Sequence, residues 1–145
     1  FSSPGKRMEV KTSTSGLRVH HFSHRQIYSL ENEEIVVASL MLQEDDTGFS
    51  LRELIAECRS DLQSSPDFIK LEKAVRYVKM DDPSENGPKF NYAAAINSFG
   101  WFRSHDIPHF TCPEPSGVSQ TNYRSDLSSI PKMNQDELEA WLNGW

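Results

Sequence analysis

Hydrophobic positions along the chain change period several times, and each change predicts an element. Glu34–Gln43 reads EIVVASLMLQ, with Ile35-Val36-Val37 and Leu40-Met41-Leu42 apolar on both faces. Such a run predicts a central strand covered on both sides. Leu17–Phe22 predicts a shorter strand with Leu17 and Val19 on one face. The period then becomes helical. Leu51, Leu54, Ile55, Cys58 and Leu62 fall on one face, and Ser50 with Glu53 forms a capping box ahead of them. Phe68, Leu71, Val75 and Val78 make a second stripe after Ser65-Pro66. Together they predict a helical hairpin at about 50–63 and 66–79.

Residues 90–102 fit both periods. As a helix capped by Asn91 they align Tyr92, Ala95, Ile96, Phe99 and Phe102, and three consecutive alanines favour that choice. Asn134 caps a last helix carrying Leu138, Trp141, Leu142 and Trp145. The segments between read as loops. Glu44–Gly48 and Asp81–Pro88 have turn chemistry, and 104–133 is a proline-bearing crossing segment with short strands at best. Residues 1–16, rich in Ser, Thr, Gly and Lys, are expected to be a flexible N-terminal segment. Phe1 in place of Met reads as a fragment or processed chain, with Met8 a candidate natural start and 1–7 open to a vector origin. The fold class is therefore α+β: a small, mostly antiparallel sheet, a helical hairpin packed on it, and a short C-terminal helix. Residues 17–145 are expected to form one domain.

Composition narrows the function classes. The chain has 145 residues and a formal net charge of −6. It contains no apolar run of the roughly 18–20 residues that span a bilayer. Cys58 and Cys112 are too few for a disulfide framework, which points to free thiols in a reducing, cytoplasmic compartment. Charge is uneven. Residues 1–30 carry +4 and residues 31–67 carry −8. No P-loop, G-x-G-x-x-G or G-x-S-x-G sequence occurs.

Three candidate surfaces follow. Aromatic and apolar residues Trp101, Phe102, Phe110, Leu138, Trp141 and Trp145 suggest a partner-binding surface, since aromatics dominate interface hot spots. Lys70, Lys73, Arg76, Lys79 and Lys89, helped by the basic N-terminal arm, suggest phosphate contacts with nucleic acid. A spacing of three drifts around a helix, however, so these bases form no tight row. His105, His109 and Cys112 supply three zinc-type donors within eight residues, or the parts of a thiol dyad with Asp106 as orienter. The preferred reading is a non-enzymatic interaction or assembly protein without cofactor, of the viral accessory or structural kind or the bacterial effector kind. It would bind a protein partner or self-associate through the aromatic surface and the amphipathic C-terminal helix. The alternatives are a nucleic-acid-associated protein and a zinc- or Cys-dependent hydrolase around His105, His109 and Cys112.

Overall fold

In chain order the elements are β1 (Ser2–Ser3), β2 (Lys6–Ser13), β3 (Val19–Ser23), α1 (His24–Ile27), β4 (Glu34–Met41), β5 (Glu44–Ser50), α2 (Leu51–Leu62), α3 (Asp67–Tyr77), β6 (Lys89–Phe90), α4 (Tyr92–Ser98), β7 (Gly100–Arg103), a 3-10 turn (Ser104–Asp106), β8 (Asn122–Asp126) and α5 (Gln135–Leu142). The computed structural model describes residues 2–3, 5–29, 33–78 and 87–143. Lys79, Trp145 and most of the loop expected at 81–88 lie outside the described residues. The class is α+β, and among the described residues four of the five strand pairings are antiparallel. No helix among the described residues is long and apolar enough to cross a membrane. Contacts divide the chain into two compact units, one of Phe1–Leu42 with Ala94–Trp145 and one of Gln43–Ala93.

The first unit is built on a four-stranded sheet in the order β1-β2-β4-β7. β4 is interior, as its doubly apolar sequence predicts. Val37 on one face packs with Phe22, Ile27, Phe102, Ile107 and Leu127. Val36 on the other packs with Met133, Leu138 and Trp141. The β3–β8 ribbon and α1 thus supply one covering layer and α5 the other. Asn134 caps α5 through its side chain, which accepts from the Glu137 backbone N–H, while Glu137 returns a bond to Asn134.

β2 corrects the expectation of a flexible N-terminal segment. All eight of its residues pair in parallel with β4, from Lys6↔Glu34 to Ser13↔Met41. Its composition hid it because both faces carry cations whose stems pack while their heads find partners. The Lys6 ammonium donates to the Trp141 carbonyl. Arg7 donates to the carbonyls of Arg25 and Tyr28 and pairs with Glu33. A parallel pair needs a long crossover, and residues 14–33 provide it, with β3 and α1 inside.

The second unit contains the predicted helical hairpin, α2 and α3. Ser50 and Glu53 form the capping box, and Arg59 clasps Glu72 across the hairpin at 2.6 and 3.3 Å. Ile55 and Val75 are its buried side chains. Residues 44–48, expected to be a turn, belong to β5, which pairs with β6 around a bulge between Glu44 and Phe49. Turn chemistry is still present there, since Asp45 accepts from the Thr47 N–H and hydroxyl. Gly48 is required by close approach: a Cβ there would stand 2.2 Å from the Phe90 carbonyl oxygen. The ambiguous stretch 90–102 resolves into both periods, a short helix α4 and then strand β7.

Candidate active site

The sequence-derived surfaces are redistributed by the fold. Phe102, Trp141 and Leu138 are buried at 0%, 3% and 8% exposure, so they are core residues of the first unit. Trp101 is half-buried beside them, and Phe110 is exposed. The expected zinc set is not brought together. His105 pairs with its neighbour Asp106 at 3.4 Å, His109 Nδ1 lies 2.6 Å from the Ile107 carbonyl, and Cys112 is exposed. Among the described residues no group of three or more His, Cys, Asp or Glu side chains could hold a metal ion. The 3-10 turn and Pro108 break the helical spacing that would have aligned the two histidines. Of the basic set, Lys70, Lys73 and Arg76 are exposed on α3, with Lys70 paired to Asp67 at 2.8 Å, and Lys89 is half-buried on β6.

A different pair emerges on β2. Successive strand residues alternate faces, so Arg7, Glu9, Lys11 and Ser13 share one side. The Lys11 ammonium stands 3.0 Å from the Glu9 carboxylate and 3.0 Å from Gln26 Oε1, with the Phe22 ring centroid 5.1 Å away. Gln26 Oε1 also accepts from the Ser23 backbone N–H at 2.9 Å, so the start of α1 and the lysine share one acceptor. An ammonium has three donors. Glu9 and Gln26 occupy two, and among the described residues no hydrogen-bond partner takes the third. The Glu9 and Lys11 side chains are 21% and 17% exposed, a setting drier than an ordinary surface ion pair.

Behind this pair lies a buried polar network. Register places Lys11 beside Ser39 and Ser39 beside Gly100. Ser39 Oγ is 2.7 Å from the Arg18 guanidinium and 2.8 Å from His20 Nε2. Arg18 also donates to the Ser39 and Ser98 carbonyls and lies over the Phe102 ring. Burial, and then the positive charges of Arg18 and Lys11, hold the His20 imidazole below its usual range, so it stays neutral at neutral pH. Burial also lowers the Arg18 guanidinium. The site therefore has a cationic edge at Lys11 and one carboxylate at Glu9.

Composition pointed elsewhere because these residues fell in a segment read as mobile. A usable signal existed: Glu9-Val10-Lys11 is the only acid-x-lysine tripeptide in the sequence. Comparison with known proteins gives that tripeptide a context. Residues 1–128 match the sequence profile of a family described as "Putative PD-(D/E)XK family member" (DUF4420). No curated protein and no solved structure matches the chain. The match overturns the non-enzymatic assembly reading, because it points to a nuclease-type fold. Residues 1–7, open to a vector origin from sequence, lie inside the matched span. Glu9-x-Lys11 has the residue types of the (D/E)XK half of that description. Its one Pro-Asp dipeptide is Pro66-Asp67, in the second unit, where Asp67 pairs with Lys70.

Proposed function

The chain belongs to this family, described as "Putative PD-(D/E)XK family member", and from that premise we propose that Glu9 and Lys11 serve a nuclease-type site acting on the phosphodiester bonds of nucleic acid. The observation that carries the reading is the geometry of the single acid-x-lysine tripeptide. It lies on a fully paired strand, its two charged ends meet at 3.0 Å, and Gln26 fixes the lysine from α1.

Hydrolysis joins a water oxygen to phosphorus and breaks one phosphorus–oxygen ester bond, with the water proton ending on the departing alkoxide. Negative charge grows on the non-bridging and leaving oxygens along the way. A fixed donor aimed at that charge stabilises the transition state more than the ground state. Lys11 has one donor left for such an oxygen, and Glu9 and Gln26 restrict its position before substrate arrives. The neutral His20 adds no competing charge behind it.

The donor chemistry at Glu9 suits a hard divalent cation. Carboxylate oxygens favour Mg²⁺ or Mn²⁺ over soft metals, and Mg²⁺ is commonly held by one or two carboxylates together with substrate phosphate oxygens. Glu9 is the ligand that this strand would supply. When bound, such an ion supplies Lewis-acid polarisation of the phosphoryl group and a more acidic water. A closed zinc cage of three or more side chains has no counterpart among the described residues.

The test is cleavage of labelled single-stranded and duplex DNA and RNA by the full chain with Mg²⁺ or Mn²⁺, beside the variants Glu9→Gln and Lys11→Met. The expected outcome is metal-dependent cleavage lost in both variants. Cleavage that survives both substitutions, or no cleavage of any of these substrates, overturns the proposal.

A further inference from the structure

Two cavities of about 470 and 330 Å³ share His24, Glu114 and Thr121 in their walls. Both lie in the range typical of small-molecule sites. They differ in chemistry. The larger is lined by polar and charged residues including Arg25, the smaller by Phe110, Val118, prolines and Tyr123. His24, on their common wall, is 95% buried by its 5% exposure, and its Nε2 has no hydrogen-bond partner. Its Nδ1 is 2.6 Å from the Tyr123 hydroxyl and its ring stacks on Tyr28 at 4.6 Å. Whichever way the Tyr123 bond runs, Nε2 is left with one unmet donor or acceptor.

The loop that closes the cavities is also held. The Glu114 carboxylate accepts from the Thr121 N–H at 2.9 Å, and hydrogen bonding to Thr121 lowers its pKa below the usual carboxylate range. Gln120 beside it sits at φ 61°, the only non-glycine residue at positive φ among the described residues. Strain of that kind persists where surrounding structure enforces it, commonly at binding sites.

We propose that this double cavity is a nucleobase pocket. The apolar half takes the flat face of one base against Phe110 and Tyr123, whose rings already meet edge to face at 5.8 Å. His24, whose Nε2 lies just beneath the common wall, meets the polar edge of that base once its ring turns outward, and the polar half with Arg25 takes the attached sugar and phosphate. Aromatic stacking with one or two buried polar contacts is how extracted or unpaired bases are held. The inference rests on the phosphodiester reading of Glu9 and Lys11, and α1 joins the two places: His24 and Gln26 are two residues apart in its single turn. The pocket would seat one base of the substrate strand at α1, the same short helix that carries Gln26.

The experiment follows the Val118 methyl and His24 imidazole resonances of the full chain in EDTA. The chain is titrated with adenosine, guanosine, cytidine and thymidine, and then with a single-stranded oligonucleotide and its duplex. Both resonances are expected to shift with at least one nucleoside. Shifts with the single strand too mark a base of the substrate, and shifts with nucleosides alone mark a free nucleoside site; both are base occupancy. Val118→Trp, which fills the apolar half from a half-exposed position, is expected to weaken binding at least about tenfold. Lys11→Met is expected to leave nucleoside binding unchanged while slowing cleavage more than about a hundredfold, which separates failure of the pocket from failure of the catalytic reading. No shift with any probe, or binding that Val118→Trp leaves intact, overturns the pocket.

Discussion

Replacing Lys11 by Met removes one charge and keeps most of the stem. The ammonium is bonded to Glu9 and Gln26 at 3.0 Å each and lies 5.1 Å from the Phe22 centroid. Two costs can be separated. The stability cost is the loss of one partly buried pair, about 1 kcal/mol or less by comparison with measured ion pairs, and the Met stem retains the contact with Phe22. The catalytic cost is larger. Removing one preorganised donor from a developing oxyanion typically lowers kcat by about 10²–10³, or about 3–4 kcal/mol. The expected result is thus a chain that unfolds in urea at nearly the wild-type midpoint yet cleaves nucleic acid more than about a hundredfold more slowly. Initial cleavage rates at saturating Mg²⁺ give the second quantity and a urea titration gives the first. Glu9→Gln is expected to be comparably damaging. The double variant is expected to be little worse than either single one, since groups that act as a unit are strongly non-additive. A Lys11→Met rate within about threefold of wild type, less than 1 kcal/mol by the rate equation, would refute the reasoning, as would strict additivity.

Other consequences are measurable in the same preparations. Phe102→Ala, at a site with no exposure, is expected to cost about 3–5 kcal/mol in urea unfolding, whereas Phe110→Ala, at 66% exposure, should stay within about 0.5 kcal/mol; the reverse order would return Phe102 to the surface. His20 is held below its unfolded value of 6.5, so the unfolded chain takes up protons first on acidification. Its contribution to stability is present above pH 6.5 and is lost as the pH falls through the lower folded value. His20→Gln should flatten that part of the stability–pH curve, and an unchanged slope would show that His20 does not titrate in this way. Gly48→Ala places a Cβ 2.2 Å from the Phe90 carbonyl oxygen and should speed hydrogen exchange within residues 43–93; unaltered protection would contradict the close approach.

What could be read from sequence was what is encoded locally. The Ser50–Glu53 capping box and the Asn134 N-cap are devices within a four-residue span, and both form. β4 was legible because an apolar run covered on both faces needs no knowledge of its neighbours. β2 has no such autonomy. Its identity as a strand depends on pairing with residues 28 positions later, and Arg7, Glu9 and Lys11 look like solvated surface until that register is known. The same dependence hid the candidate site. Glu9 and Lys11 share a face only if the segment is extended, and Gln26 reaches Lys11 only because the crossover after β2 returns over that face. The residues that looked chemical from spacing alone, His105, His109 and Cys112, were grouped by sequence proximity that the backbone does not preserve. In this chain, then, the charged residues worth suspecting were those the fold half-buries: a cation on a paired strand gives up much of its hydration, and Lys11 is compensated for that loss by Glu9 and Gln26.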